Sequence, residues 1–174
     1  MARIVPKNLI LDVDGVLTDG KFHYTEKGKL SKVFGVDDHD ALGLLKKFLN
    51  IHMISNDKQG FAITKKRVCG DMKFPLANVG MFDRADWIAK KYNLAETIYM
   101  GDGIFDPIVF ARVGYSIAPA NASAKTRSYA NFVTSAKGGE GAVAEACLHI
   151  LAKFFQPFDP LNFKFEKSVK KQKV

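Results

Sequence analysis

The sequence predicts an α/β domain built on a mainly parallel sheet. Strand-like and helix-like stretches alternate along most of the chain, the order that folds as a parallel sheet covered by helices. At 174 residues the chain has the size of one ordinary domain with one core. No internal repeat or long linker divides it.

Asn8–Val13 is a short apolar run that ends in acids, the pattern of a leading core strand. The weakly alternating KFHYTEKGKLSKVF within residues 20–35 turns at Glu26-Lys27-Gly28 and reads as a β-hairpin standing off the sheet. Asp38 to Leu49 follows as a helix. Its start is acidic (Asp37, Asp38, Asp40), its apolar face is Leu42, Leu45, Phe48 and Leu49, and Lys46 and Lys47 lie near its end, an order that suits the helix macrodipole. Ile51–Ser55 reads as a strand and Lys58 to Lys66 as a helix. Arg67 to Gly80 is the least legible stretch, with two short strand pieces expected. Phe82–Tyr92 reads as a helix, Thr97–Gly101 as a strand, Ile104–Arg112 as a helix and Tyr115–Ala118 as a strand. A further helix and a short strand near Phe132 and Val133 precede Gly138-Gly139. In the last helix Val143, Cys147, Ile150, Leu151 and Phe154 recur at helical spacing, which makes Cys147 a core residue.

Composition narrows the class. Apolar residues make up 47% and charged ones 25%, the balance of a soluble globular protein. No apolar run approaches the roughly twenty residues of a membrane span. The first residues, MARIVPKNLILDVDG, run into carboxylates and read as a core strand, not as an export signal. Two cysteines, Cys69 and Cys147, make neither a disulfide framework nor a metal-ligand pair, and the expected compartment is the cytoplasm. The formal charge of +8 favours anionic partners. Part of it lies in the tail at Lys164, Lys167, Lys170, Lys171 and Lys173. No zinc-finger, RNP-type or helix-turn-helix signature accompanies it, so a solvated end is the simpler reading and nucleic acid is not the expected partner.

The chemistry-bearing residues sit at strand ends. In LILDVDG the strand delivers Asp12 and Asp14 two residues apart, on one face, before a turn at Gly15. Ligands of open α/β sheets bind at this carboxyl edge. Two neighbouring carboxylates repel each other unless a cation or a shared proton lies between them, and Mg²⁺ is a cation that takes oxygen ligands and keeps room for phosphate. The plainer reading is an acidic turn. TIYMGDG repeats the design with Asp102, and Asp106 follows about one helical turn later. IHMISN ends its strand with Ser55 and Asn56, a hydroxyl and an amide that fit either a phosphate cradle or a simple helix cap. Three such ends in one chain favour a site over coincidental turns. Asp37-Asp38-His39-Asp40 is explained more simply by helix N-terminal acids than by a metal site, and His23, His52 and His149 share no ligand spacing and read as surface or rim residues.

The pattern resembles the haloacid dehalogenase (HAD) superfamily. LDVDGVLTDG, the hairpin, VFGVDDHDALGLLKK and VTSAKGGEGAVAEAC are similar to its capless sugar-acid phosphatases, and to the phosphatase-like C-terminal module of sialic-acid cytidylyltransferases, over about residues 8 to 152. The resemblance implies a Rossmann-like HAD fold without a cap domain over residues 1–155, and a basic tail over 156–174. It implies Mg²⁺-dependent hydrolysis of a small phosphorylated sugar or sugar acid through an aspartyl-phosphate. Asp12 would be the nucleophile, and Asp14 the general acid/base whose backbone carbonyl also binds the metal. Asp102 would complete the metal site, and Ser55 would hold a phosphate oxygen, with Gly15 and Asn56 among the phosphate and substrate contacts. Asp38 and Asp106 would be supporting residues. In similar proteins neighbouring subunits complete the site around the hairpins, which implies a homotetramer.

The departures from the family pattern are specific. Where the family has a Lys before the last motif, this chain offers Arg84, with Lys73 as a competing candidate. Gly103 and Phe105 stand where a second Asp and an Asn are frequent, Asn56-Asp57 where Gly-Arg is common, and Ala144 where an Arg is usual. These changes are expected to remove positive charge from the site. They favour a second reading, a catalytically degenerate module kept for oligomerisation or ligand binding, whereas Asp12, Asp14 and Asp102 favour the enzyme.

Overall fold

A computed structural model of the chain describes residues 4–162; the basic tail lysines named above lie outside the described residues. The sheet has six parallel strands: β1 (Asn8–Asp12), β4 (Asn50–Ser55), β5 (Leu76–Asn78), β6 (Thr97–Met100), β7 (Tyr115–Ala118) and β8 (Phe132–Val133). Their order, β5-β4-β1-β6-β7-β8, puts β1 at the point where the chain turns back and builds the other half of the sheet. That switch point is where open α/β sheets leave a crevice beyond their strand ends. A separate antiparallel hairpin, β2 (His23–Thr25) and β3 (Gly28–Ser31), stands off the sheet as expected.

The two faces of the sheet follow from the alternation of side chains along β1. Leu9 and Leu11 face α1 (Asp37–Leu45) and α6 (Ala142–Phe154), whose Leu42, Leu45, Val143, Cys147 and Ile150 complete one core. Ile10 faces α3 (Arg84–Lys91) and α4 (Pro107–Phe110), where Ile54, Ile88, Tyr99, Val109 and Phe110 form the other. All five residues of β1 are buried, as expected for a strand covered on both sides.

Several expectations need adjusting. The first helix ends at Leu45, and the chain makes a turn through Phe48 and Leu49, whose N–H groups both donate to the Leu45 carbonyl at 2.9 Å. The helix expected over residues 58–66 begins later, as α2 (Phe61–Lys65), and continues through a wide turn over Lys66–Asp71. The stretch read as two strand pieces therefore contains a helical extension and one strand, β5; Val68 and Met72 hold the extension in the core. α4 spans only Pro107–Phe110 because Asp106 and the preceding loop are drawn into the site, and α5 (Ala124–Arg127) is equally short. His52 and His149 are half-buried, not surface residues. His52 Nδ1 lies 3.0 Å from the Tyr92 hydroxyl, and the His149 ring stacks on Phe132 at 3.7 Å between centroids. Phe158, past the boundary expected at 155, packs against the α1–α6 core.

Candidate active site

The site is made by the carboxyl ends of β1, β4 and β6, with α3 closing it from one side and the hairpin from the other. After Asp12 the chain closes a wide turn over Val13–Leu17, with the Thr18 N–H donating to the Val13 carbonyl at 3.0 Å. Gly15 makes that turn at φ +87°, a conformation that favours glycine. A Cβ there would also lie 2.0 Å from Asp102 Oδ2. Gly15 is thus required by the approach of Asp102, while its carbonyl accepts a hydrogen bond from Asn121 Nδ2 at 2.9 Å.

Arg84, the first residue of α3, enters this acidic centre. Its Nη1 donates to Asp12 Oδ2 at 2.6 Å, to Asp106 Oδ1 at 2.9 Å and to the Tyr99 hydroxyl at 2.9 Å. Tyr99 in turn donates to Asp106 Oδ1 at 2.8 Å, and the Gly103 N–H donates to Asp106 Oδ2 at 2.8 Å. Burial opposes the charge on Arg84, yet Tyr99, Asp12 and Asp106 hold its guanidinium firmly protonated. Lys73, the rival candidate, is exposed and bonds the Gly70 carbonyl. The cation beside Asp12 is Arg84.

Carboxylate oxygens of Asp12, Asp102 and Asp106 lie within 4.8 Å of one another. Burial, with the charges of Asp106 and Asp102 and against the pull of Arg84, pushes the Asp12 carboxyl up to about 7. Burial and Asp106 push Asp102 up to about 7 as well. A buried oxygen-only cluster with more negative charge than one guanidinium can offset fits a hard divalent cation. Asp12 and Asp106 both accept on both oxygens, Asp12 from the Val13 N–H at 2.8 Å and from Arg84. By the family resemblance Asp12 and Asp102 are the carboxylates that would hold the ion, while Asp106 orients Arg84.

Asp14 is turned away from that cluster. Lys32 Nζ donates to its Oδ1 at 2.6 Å, and Ser55 Oγ donates to its Oδ2 at 2.9 Å. Ser55 is buried, and its Oγ also accepts from the Asp57 N–H at 3.1 Å. The hydroxyl expected to meet phosphate is here committed to holding Asp14. The side chain of Lys32 is 0% exposed, lies 2.8 Å from Asp57 Oδ2 and donates to Thr64 Oγ1 at 2.9 Å. Lys29 Nζ lies 2.6 Å from the same Asp57 oxygen. Burial alone would raise the Asp57 carboxyl, but the two lysines and the Gly60 N–H bring it down to about 2. The expected loss of positive charge is therefore corrected: two hairpin lysines supply it. Sequence reasoning missed Lys29, Lys32 and Tyr99, because a lysine in a short polar hairpin reads as solvated and a tyrosine in an apolar strand reads as core.

Asp38 serves elsewhere. Its Oδ1 accepts from the Ala144 N–H at 2.9 Å, joining the start of α1 to the first turn of α6, and burial raises its carboxyl. Among the described residues, Asp37, Asp38, His39 and Asp40 form no metal-holding group. Asn56 lines the same cavity as Asp12, Asp14 and Arg84.

Residues 87–146 match the family described as haloacid dehalogenase-like hydrolases. The 3-deoxy-D-manno-octulosonate 8-phosphate phosphatase of Yersinia pestis is 32% identical over 154 residues, which cover 82% of this chain and 78% of that one. The chain belongs to the haloacid dehalogenase-like phosphatases. The same-named phosphatase of Haemophilus influenzae is 33% identical over 147 residues, covering 80% of this chain and 79% of that one. The solved structure of the Moraxella catarrhalis phosphatase, in complex with magnesium, phosphate and a KDO molecule, superposes with a TM-score of 0.71 at 26% identity, over 84% of this chain and 86% of that chain. The haloacid dehalogenase-like fold thus accounts for the sheet order and for acids at the ends of β1 and β6.

The cluster carries a pH signature. The Asp12 and Asp102 carboxyls stand near 7 in the fold against 3.8 as their ordinary value. Without metal their contribution to stability is therefore lost as pH rises from about 4 through 7. Added Mg²⁺ should raise the melting temperature more at pH 8, where both are ionised and repel, than at pH 6, where protons must first leave. Asp102→Asn should remove most of that shift. Equal Mg²⁺-induced shifts at the two pH values in thermal unfolding would contradict this charge balance.

Proposed function

We propose that this phosphatase is a Mg²⁺-dependent hydrolase of a small sugar-acid phosphomonoester, of the kind named by 3-deoxy-D-manno-octulosonate 8-phosphate, acting in the cytoplasm. The observation that carries the reading is the division of labour between the two β1 carboxylates. Asp12 is held at the crevice floor by a permanent cation, and Asp14 is held apart from it by Lys32 and Ser55. The likeness to the Yersinia pestis and Haemophilus influenzae phosphatases supports the substrate class.

In this reading an Asp12 oxygen attacks phosphorus, forming an aspartyl-phosphate as the ester P–O bond breaks. Asp14 in its protonated form gives its proton to the departing alcohol oxygen. Its carboxylate then takes a proton from the water whose oxygen bonds phosphorus as the Asp12 O–P bond breaks, which releases inorganic phosphate and restores both aspartates. Arg84 offsets charge on Asp12 and on the phosphoryl oxygens, and Asp106 with Tyr99 keeps its guanidinium in place. Asp12, Asp102 and the Asp14 carbonyl would hold Mg²⁺, which would supply electrostatic stabilisation for an anion attacking an anion.

The test is release of inorganic phosphate from phosphorylated sugars and sugar acids with and without Mg²⁺. Removing a pre-positioned charge donor typically lowers the rate about 10²–10³-fold. Arg84→Ala should fall in that range, Arg84→Lys should keep or raise turnover, and Lys73→Ala should change little. Turnover independent of both Mg²⁺ and Arg84 would rule the mechanism out.

The proposed assembly is a homotetramer gathered around the hairpins. Tyr24, Leu30, Val33 and Val36 are exposed on or beside the hairpin, and short two-stranded hairpins gain stability from packing partners. Light scattering across micromolar concentrations should give four times the chain mass; a monomer throughout would exclude the arrangement.

A further inference from the structure

The active-site cavity, about 240 Å³, has two kinds of wall. Asp12, Asp14 and Arg84 form the end where a phosphoryl group reacts. Phe22, Lys29, Asn56 and Asp57 line the same cavity and are the groups left to meet whatever the phosphate is attached to. We propose that Lys29, seated on Phe22, is the specificity-determining residue that binds an oxygen acceptor on the alcohol portion of the ester, the carboxylate of a sugar acid being the strongest such acceptor. The inference rests on the phosphomonoesterase reading and adds to it a residue from the chain's own hairpin.

Two cations line this cavity, Lys29 and Arg84, and a third, Lys32, is buried behind it; Arg84 and Lys32 are committed. Arg84 contacts Asp12, Asp106 and Tyr99, and Lys32 is fully buried against Asp14, Asp57 and Thr64. Lys29 differs. Its ammonium lies 2.6 Å from Asp57 Oδ2 and 3.4 Å from the centroid of the Phe22 ring. An ammonium carries three N–H donors. The Asp57 carboxylate and the Phe22 ring face take two sides of it, and Lys29 is among the residues that line the cavity.

The side chain is also fixed in advance. Lys29 is only 4% exposed along its side chain although it comes from a short two-stranded hairpin. Gly60 makes the approach possible: a Cβ there would stand 2.1 Å from Asp57 Oδ2 and 2.7 Å from Lys29 Cδ. A long flexible side chain that is already ordered loses little further freedom when a ligand arrives, so its contact counts nearly in full. Phe22 contributes both the cation–π contact and an apolar edge beside sugar carbons.

The experiment compares wild type, Lys29→Met and Lys29→Arg on 3-deoxy-D-manno-octulosonate 8-phosphate and on glucose 6-phosphate, which lacks a carboxylate. Losing a hydrogen bond to a charged group costs about 10- to 100-fold in binding. Lys29→Met should therefore lower the ratio of kcat/KM for the sugar-acid ester over the neutral ester by that factor, mainly through KM, and Lys29→Arg should restore most of it. An unchanged ratio in Lys29→Met, with turnover intact, overturns the role of Lys29 while leaving the phosphatase reading in place. Calorimetric titration of the free sugar acid 3-deoxy-D-manno-octulosonate separates the opposite case. Binding that weakens about 10-fold or more in Lys29→Met, in a wild type that hydrolyses neither ester, would uphold the subsite and reject the proposed substrate; equal binding by wild type and Lys29→Met would reject the subsite.

Discussion

The whole site depends on one electrostatic constraint: several carboxylates meet at the ends of buried strands where water screens them poorly. Unit charges ~4 Å apart at an effective dielectric of ~20 interact by about 4 kcal/mol. Asp12, Asp102 and Asp106 approach within 4.8 Å, so a fold that gathers them requires positive charge beside them. Arg84 supplies the permanent part, positioned because α3 begins at the site and Asp106 and Tyr99 hold its guanidinium. A divalent cation supplies the rest when it binds. The raised Asp12 and Asp102 carboxyls are the imprint of that requirement in the protein alone.

The same constraint explains why the hairpin is part of the site and not an appendage. Asp14 and Asp57 sit at adjoining strand ends of β1 and β4, and their charges are met by Lys32 and Lys29 reaching inward from β3 and its end. The bonds from Lys32 and Ser55 hold the Asp14 carboxylate apart from the cluster of Asp12, Asp102 and Asp106. A hairpin of seven strand residues is marginal alone; these ion pairs, together with the Thr18–Phe34 bridge, tie it to the body. Charge lost from the β4–α2 loop by having Asp57 is regained on the hairpin. The departures from the family pattern therefore rearrange the charge around the crevice without emptying it.

Local sequence carried much of this. β1, β6 and α6 were legible because burial leaves a strong pattern: unbroken apolar runs ending in acids, and a stripe from Val143 to Phe154. Asp12, Asp14 and Asp102 were legible for the same reason, being charges at the ends of strands that otherwise exclude them. What stayed hidden depends on contacts distant in sequence. Lys32 reaches Asp14 across eighteen positions and Asp57 across twenty-five, and nothing within the hairpin's own alternation marks it as buried. The stretch from Arg67 to Gly80 is hard to read because its helical extension stops at Asp71, two residues before a positive φ of 62° at Lys73, and is held by Val68, Met72 and Phe74 against the core instead of by a periodic face of its own. Arg84 could be proposed from the family's lysine, but only the fold decides between it and Lys73.

Asp12, held by Arg84 at the end of β1, is the residue proposed to take up the phosphoryl group. An aspartyl-phosphate quenched during turnover can be reduced with borohydride, which converts the phosphorylated aspartate to homoserine. Peptide mass spectrometry of the quenched protein should find homoserine at position 12 and an unmodified aspartate at positions 14, 102 and 106. Homoserine at one of those other positions, or none anywhere while phosphate is being released, would contradict the assignment of Asp12 as the nucleophile.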